Sequence, residues 1–338
     1  MTGLICIFGR IVLSMSEINQ IKEPVKNEMK EFNEFFKATL KSSVPLLDII
    51  MNYILRRKGK QLRPLFVFLS AKMMGSINRS SFTAASLIEL LHTATLIHDD
   101  VVDESYERRG FFSINALWKS KVAVLVGDYL LSKGLLVALD NGEYDILKIV
   151  SDAVKEISEG ELYQIQKSKK LDIKEQEYFE IIRKKTATLI AACTASGAKS
   201  VGCSDDELNR MKTFGEHVGV AFQIRDDLFD YEKNGFVGKP MGNDIQEKKL
   251  TLPLIYALDQ VGFAEKRNVL HLVSKSRKRS DYVSDVIRFV KEQGGINYSI
   301  DVMNEYRNKA LEALSDFPDS DAKSSLKQLV HYTINRKK

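Results

Sequence analysis

Cysteine is scarce: Cys6, Cys193 and Cys203 are the only three, an odd number with no CxxC or metal-ligand spacing. That argues against a disulfide framework or a thiolate zinc site, and reduced thiols in a cytoplasmic protein are the expectation. Proline is sparse too, six in 338 residues, with none between Pro64 and Pro240. Proline breaks helix interiors by removing a hydrogen bond and clashing with the preceding turn, so this gap suits an unbroken series of helices. No charge of one sign dominates: 50 basic against 45 acidic residues leave a net charge of +5. With no basic stretch interleaved with aromatics, a nucleic-acid partner is not expected. An uninterrupted apolar run of the ~18 residues that cross a bilayer is also missing, so no transmembrane segment is expected. Nor is there a Gly-rich βα junction for a dinucleotide, or a convincing run of strand alternation.

What is present is a chain with 44% hydrophobic and 28% charged residues, enough for a substantial core. Apolar residues recur at helical spacing, as at Leu87, Leu90, Leu91 and Ala94, and again at Phe214, Val218 and Phe222. Turn residues predict breaks near Met74–Ser80, Asn141–Gly142, Ser204–Asp206, Asn234–Asn243 and Gly294–Gly295. The segments between are long, which suits a bundle. No Pro/Ser-rich linker divides the chain. Residues 15–338 read as one all-α domain, with 1–14 as a disordered N-terminal extension ahead of Met15.

Two sequences carry the chemistry: HTATLIHDDVVDESYERRG from His92 and FQIRDDLFDYE from Phe222. Each contains DDxxD, formed by Asp99, Asp100 and Asp103 and by Asp226, Asp227 and Asp230. Positions i and i+4 share a helix face, so Asp99 falls with Asp103 and Asp226 with Asp230. Each motif ends an apolar helix, where like charges repel and lose hydration, and a bound cation relieves both costs. Donors that are all carboxylates select a hard divalent ion, magnesium shared with a phosphate substrate fitting best. One DDxxD alone is more often a solvated helix end. Two in apolar helices suggest a clamp around one polyanion.

Basic residues supply the opposite sign. GKQLRP offers Lys60 and Arg63 near a helix start, and Arg108 and Arg109 follow the first acidic motif. KKTATL offers Lys184, Lys185 and Thr186, and Lys239, Lys248 and Lys249 follow the second motif. Singly these are ordinary surface charges. Spaced around the acids they suit diphosphate, which accepts both Arg forks and Lys point charges.

GKxLRP, DDxxDxxxxRRG, KTA, QxxDDxxD and GKPxGxDxxExKxTLP occur here in the order seen in trans-type isoprenyl diphosphate synthases. The resemblance covers about residues 20–335 and is strongest to the long-chain, octaprenyl-type members. It implies a large helical bundle around a deep central pocket, usually a homodimer, using Mg²⁺, with transient membrane contact for product release. It further implies that the six aspartates hold metal and the allylic diphosphate, and that Lys185 belongs to the catalytic set. Lys60, Arg63, His92 and Arg109 match the isopentenyl diphosphate site. Arg108, Lys185, Thr186, Gln223, Lys239 and Lys249 match the allylic diphosphate site, and Asp244 matches a supporting acid. Where this chain has Lys248, relatives commonly carry glycine.

The implied reaction is ionisation of the allylic diphosphate, attack by the double bond of isopentenyl diphosphate, and proton loss that restores an allylic product. No nucleophilic Ser or Cys is required, and His98, His217, His271 and His331 read as structural or surface groups. A terpene cyclase would not need GKQLRP with Arg109, and a non-catalytic regulatory subunit would be expected to lack complete acidic motifs. A short-chain farnesyl or geranylgeranyl synthase remains the alternative. Ala94 and Thr95, the fifth and fourth residues before Asp99, are the expected chain-length positions. Leu131, Leu135 and Leu136 are candidates for a tunnel floor.

Overall fold

The computed structural model describes residues 17–56, 59–108, 110–232 and 241–335. The expected 1–14 extension lies outside the described residues, as do Arg109 and Lys239, and for Arg108 only the backbone is described.

Four of the predicted breaks fall where helices end or begin, and residues 234–240 of the fifth lie outside the described residues. α1 (Lys26–Thr39) and α2 (Pro45–Arg56) precede α3 (Leu62–Met74) and α4 (Arg79–Val102). A hairpin of β1 (Glu107–Arg108) and β2 (Phe111–Phe112) leads to α5 (Ile114–Asp140) and α6 (Tyr144–Lys170). α7 (Glu175–Ile182) passes through a π-helical turn, Arg183–Ala187, into α8 (Thr188–Lys199). Next come α9 (Asp205–Phe229), the single turn α10 (Asn243–Gln246) and α11 (Leu252–Asp259). α12 (Phe263–Lys275), α13 (Ser280–Glu292), α14 (Gly295–Ala313) and α15 (Asp321–Asn335) complete an all-α fold. The hairpin has two residues on each side, too few to show a period of two, and leaves the fold all-α.

Residue contacts divide the chain into two compact units. The first comprises Met1–Asp152, Ala192–Lys212 and Asp316–Leu329, the second Ala153–Ala191, Thr213–Ser315 and Val330–Lys338. Each is assembled from three separate stretches, so no linker in the sequence announces the division.

In the first unit α4 packs along α5, and Phe32, Phe36, Phe68 and Phe82 form a chain of ring contacts with centroids 5.0–5.7 Å apart. Fully burying one such side chain contributes roughly 1.5–3 kcal/mol, so this cluster is a main anchor of α1, α3 and α4. Asn78 starts α4 with a capping box shared with Ser81. α5 has a mean hydropathy of 1.8 over its most apolar window and is long and apolar enough to cross a membrane, by length and composition alone. The run-based reading passed over it because Asp128 and Lys133 interrupt the apolar sequence. In the second unit α11 lies against α14, where Gly295 sits so close to the Pro253 carbonyl that a Cβ would come within 2.1 Å of its oxygen.

Candidate active site

The first acidic motif closes α4. Asp99 and Asp103 are exposed, while Asp100, rotated about 100° from its neighbour, is only 5% exposed. The chain turns sharply here: the Asp103 N–H donates to the Asp99 carbonyl at 2.8 Å, and Glu104 adopts φ 48°. Ser105 N–H donates to the Asp100 carbonyl at 2.9 Å, and Ser113 Oγ donates to the Ser105 carbonyl at 2.7 Å. Ser113 also caps α5, accepting from Ala116 N–H at 3.0 Å. The hairpin bearing Arg108 is thereby tied at both ends to the acidic turn.

Lys60 is exposed and Arg63 half-buried in the first turn of α3, which begins after Gln61 in a left-handed conformation (φ 53°). Arg63 and Glu89 of α4 both act electrostatically on the buried Cys193 thiol, which burial pushes up to about 12. A thiol so placed is not ionised at neutral pH, which agrees with a site that uses no cysteine nucleophile. His92, one turn beyond Glu89, is half-buried, as is Thr95, whose hydroxyl donates to the His92 carbonyl at 2.9 Å; Ala94 is buried. Leu131 and Leu135 are half-buried and Leu136 is exposed. His98 lies against α5, its Nε2 3.3 Å from the Val124 carbonyl and 3.4 Å from Asp128.

In the second unit the structure joins residues far apart in sequence. Lys184, Lys185 and Thr186 lie in the π-helical turn. Thr186 Oγ1 donates to Gln223 Oε1 at 2.7 Å, and Gln223 Nε2 donates to Asp227 Oδ1 at 2.8 Å. The other carboxylate oxygen of Asp227 accepts from the Tyr178 hydroxyl at 2.7 Å. Burial first, then the charge of Asp244, raises Asp227 to about 8, while the Tyr178 and Gln223 hydrogen bonds hold it down. Asp230 is buried with both oxygens accepting backbone N–H groups, of Asn243 at 2.8 Å and Asp244 at 3.1 Å. Asp226 is half-buried.

Lys249 is half-buried and ion-paired with Glu247 at 2.5 Å; burial lowers its pKa, but Glu247 and then Asp244 outweigh that, and it rises overall. Lys248 is exposed and sits at φ 60°, in the left-handed region. That is the physical reason a glycine suits this position, since a Cβ there crowds the following carbonyl.

Sequence reasoning missed Tyr178. Nothing marks it in the sequence, because its partner lies 49 positions away. Among the described residues no three His, Cys, Asp or Glu side chains gather into a cage that would hold an ion by protein ligands alone.

A sequence profile of the polyprenyl synthetase family matches residues 44–290. Octaprenyl diphosphate synthase of Escherichia coli is 33% identical over 320 residues, covering 94% of this chain and 99% of that protein. A polyprenyl synthase from Caulobacter crescentus, solved with calcium and isoprenyl diphosphate, superposes with a TM-score of 0.86 at 30% identity, over 94% of this chain and 98% of that one. Geranylgeranyl pyrophosphate synthase from Bacteroides thetaiotaomicron superposes at 0.81 with 36% identity, over 95% of this chain and all of that one. With its all-α fold, both DDxxD motifs and the basic residues around them, the chain belongs to the polyprenyl synthetase family and is a trans-prenyltransferase of the isoprenyl diphosphate synthase type.

Proposed function

We propose that this enzyme extends an allylic diphosphate by successive condensation with isopentenyl diphosphate, using Mg²⁺, and releases a long-chain all-trans polyprenyl diphosphate. The observation that carries the reading is the hydrogen-bonded run from Thr186 through Gln223 to Asp227, which ties the cation-bearing turn to an acidic motif. Lysine and carboxylate groups in that register suit a diphosphate bound together with divalent cations.

The donors fit magnesium. They are all carboxylates, and burial, then the charge of Asp244, raises the pKa of Asp227, which a nearby cation would oppose. Magnesium is commonly held by one or two carboxylates, with water and substrate phosphate completing its shell. Asp99, Asp103 and Asp226 are the more accessible acids of their motifs and would take that part. When bound, the ion neutralises charge developing on the departing diphosphate. Lys185, Lys239 and Lys249, with Arg108 and Thr186, orient the allylic diphosphate. Lys60, Arg63, His92 and Arg109 hold isopentenyl diphosphate. The released diphosphate accepts the proton lost from the new bond's neighbour, so charge and atoms balance.

Long products are favoured because Ala94 and Thr95 are small. A helical turn rises about 5.4 Å, roughly one isoprene unit, so no bulky ring stops the chain just below the aspartates. We also infer a homodimer: Leu117, Val124, Leu125, Leu136 and Leu139 are exposed on α5, an apolar face that a second copy would cover. The reading treats residues 15–338 as one catalytic domain.

The test is purified protein incubated with Mg²⁺, isopentenyl diphosphate and a short allylic primer, with products resolved by chromatography. A ladder ending well beyond fifteen carbons supports the proposal. Termination at fifteen or twenty carbons replaces it with a short-chain synthase, and full activity in excess chelator removes the metal.

A further inference from the structure

The π-helical turn that carries Lys184, Lys185 and Thr186 is held between two glycines of neighbouring helices. An extra residue widens a π turn and brings its backbone closer to whatever packs beside it. On one side is the buried Gly160 of α6: a Cβ there would lie 2.8 Å from Lys184 Cβ and 3.0 Å from the Lys185 backbone nitrogen. On the other is the buried Gly219 of α9, where a Cβ would lie 2.3 Å from Ala187 Cα. Most of these neighbours are backbone atoms, so no rotamer change relieves the crowding.

The residues flanking Gly160 complete the seat. Arg183 meets Glu156 at 3.3 Å, and Lys184 meets Glu159 at 2.8 Å. Lys185 reaches Glu161 at 2.5 Å and Gln164 at 2.8 Å. The Lys184 hydrogen bond is the first cause of the lowered Glu159 pKa, and the same pairing raises that of Lys184. Across the turn, Thr188 Oγ1 at the start of α8 donates to the Arg183 carbonyl at 2.9 Å. The glycine thus lies at the middle of a seam along which α6 presents one acceptor after another to the cations of the turn.

We propose that Gly160 is a positioning residue for the prenyl transfer reaction, setting the place of the Lys185 and Thr186 groups by the closeness of its helix to the π turn. The proposal rests on the reading of Lys185 and Thr186 as contacts to the allylic diphosphate. A methyl group at position 160 displaces the turn by on the order of 1 Å, because 2.8 Å must open towards ordinary contact distance. A misplacement of that size near a reacting centre lowers rate by about a hundredfold.

The experiment compares Gly160→Ala, Thr188→Val, Lys185→Ala and the control Gly134→Ala by steady-state kinetics for both substrates, with helix content and melting followed by circular dichroism. At Gly134 a new Cβ would meet nothing closer than 3.4 Å, so that variant should keep wild-type kinetics. Gly160→Ala should lower kcat/KM for the allylic primer about a hundredfold, leave the KM for isopentenyl diphosphate within about twofold, and keep the helix content. Thr188→Val, which removes one hydrogen bond without changing shape, should show the same selectivity at several-fold magnitude, and it decides the matter if Gly160→Ala does not fold. Wild-type kinetics in folded Gly160→Ala and Thr188→Val, or equal losses for both substrates in them, overturn the proposal. If Lys185→Ala alone raises the allylic KM, the positioning role falls and the site assignment stands. If none of these three variants raises it, the site assignment itself falls.

Discussion

Tyr178→Phe removes one oxygen from the interior and nothing else. The ring keeps its shape and its edge contact with Phe179 (5.4 Å), so no cavity term enters. What is lost is the 2.7 Å hydrogen bond to Asp227 Oδ2, in a place where both residues are buried. A hydrogen bond to a charged group contributes about 1.5–3 kcal/mol, and one between neutral groups about 1 kcal/mol. Which figure applies depends on the proton of Asp227. Its pKa is near 8 in the native protein and about 3.9 in an unfolded chain. Between those values the native state binds the extra proton, so this group's contribution to stability is full below pH 4 and is lost as pH rises towards 8. Losing the tyrosine donor raises Asp227 further and carries that decline to higher pH. In chelator, urea unfolding should therefore show Tyr178→Phe costing about 1 kcal/mol at pH 5 and about 2–3 kcal/mol at pH 9. A loss that is the same at both pH values, or below about 0.5 kcal/mol at pH 9, would refute the reasoning. Saturating Mg²⁺ with inorganic diphosphate should narrow the difference, since a cation restores the ionised carboxylate.

Four other outcomes follow from the same geometry. Lys248→Gly should raise stability by about 1 kcal/mol in thermal or urea melts, because it relieves a left-handed residue at φ 60° with an exposed side chain; a less stable variant contradicts it. Asp99→Ala and Asp226→Ala should each lower turnover by at least about a hundredfold with circular dichroism unchanged, and near-wild-type rates would end the metal assignment. Arg63→Ala should mainly raise the KM for isopentenyl diphosphate and Lys185→Ala that for the allylic primer; identical shifts in both mean the two sites are misassigned. Ala94→Phe should shorten the product ladder, and an unchanged ladder in a folded variant moves the chain-length position to Thr95 or elsewhere.

The helical fold was legible because its signals are local. Met74–Ser80, Asn141–Gly142 and Gly294–Gly295 carry turn residues, and α3, α5 and α13 end beside them. The acidic motifs were legible for the same reason, as five-letter words on apolar helices. What escaped was what depends on a neighbour. RKKTA contains nothing that separates a π turn from an α-helix, because the widening is sustained by α6 and α9 pressing from either side. Gly160 and Gly219 look in sequence like tolerated helix glycines, and only a backbone within 3 Å reveals their purpose. Lys119 has no turn signature, yet its φ of 67° kinks α5 near its start.

The two DDxxD words are alike in letters and unlike in duty. In both, the second aspartate is the inward one, since a single helical step turns it about 100° from the first, and Asp100 and Asp227 are each 5% exposed. Asp227 uses that position as a hub, accepting from Tyr178 and Gln223 and so fixing which way the Gln223 amide points. With its nitrogen turned to the carboxylate, Gln223 offers only its oxygen to Thr186, and the threonine proton is committed to it. Thr186 therefore presents its hydroxyl in one orientation, set by an aspartate that need not touch substrate. Asp230 acts differently again, gathering the first backbone N–H groups of α10 and with them the start of the segment that leads to Lys249. Each of these oxygens keeps a second lone pair, so capping a turn or anchoring an amide fixes where the carboxylate stands without barring it from a cation. Asp226 is the most accessible carboxylate of its motif, and the other two hold the Thr186–Gln223 pair and the start of α10 in register.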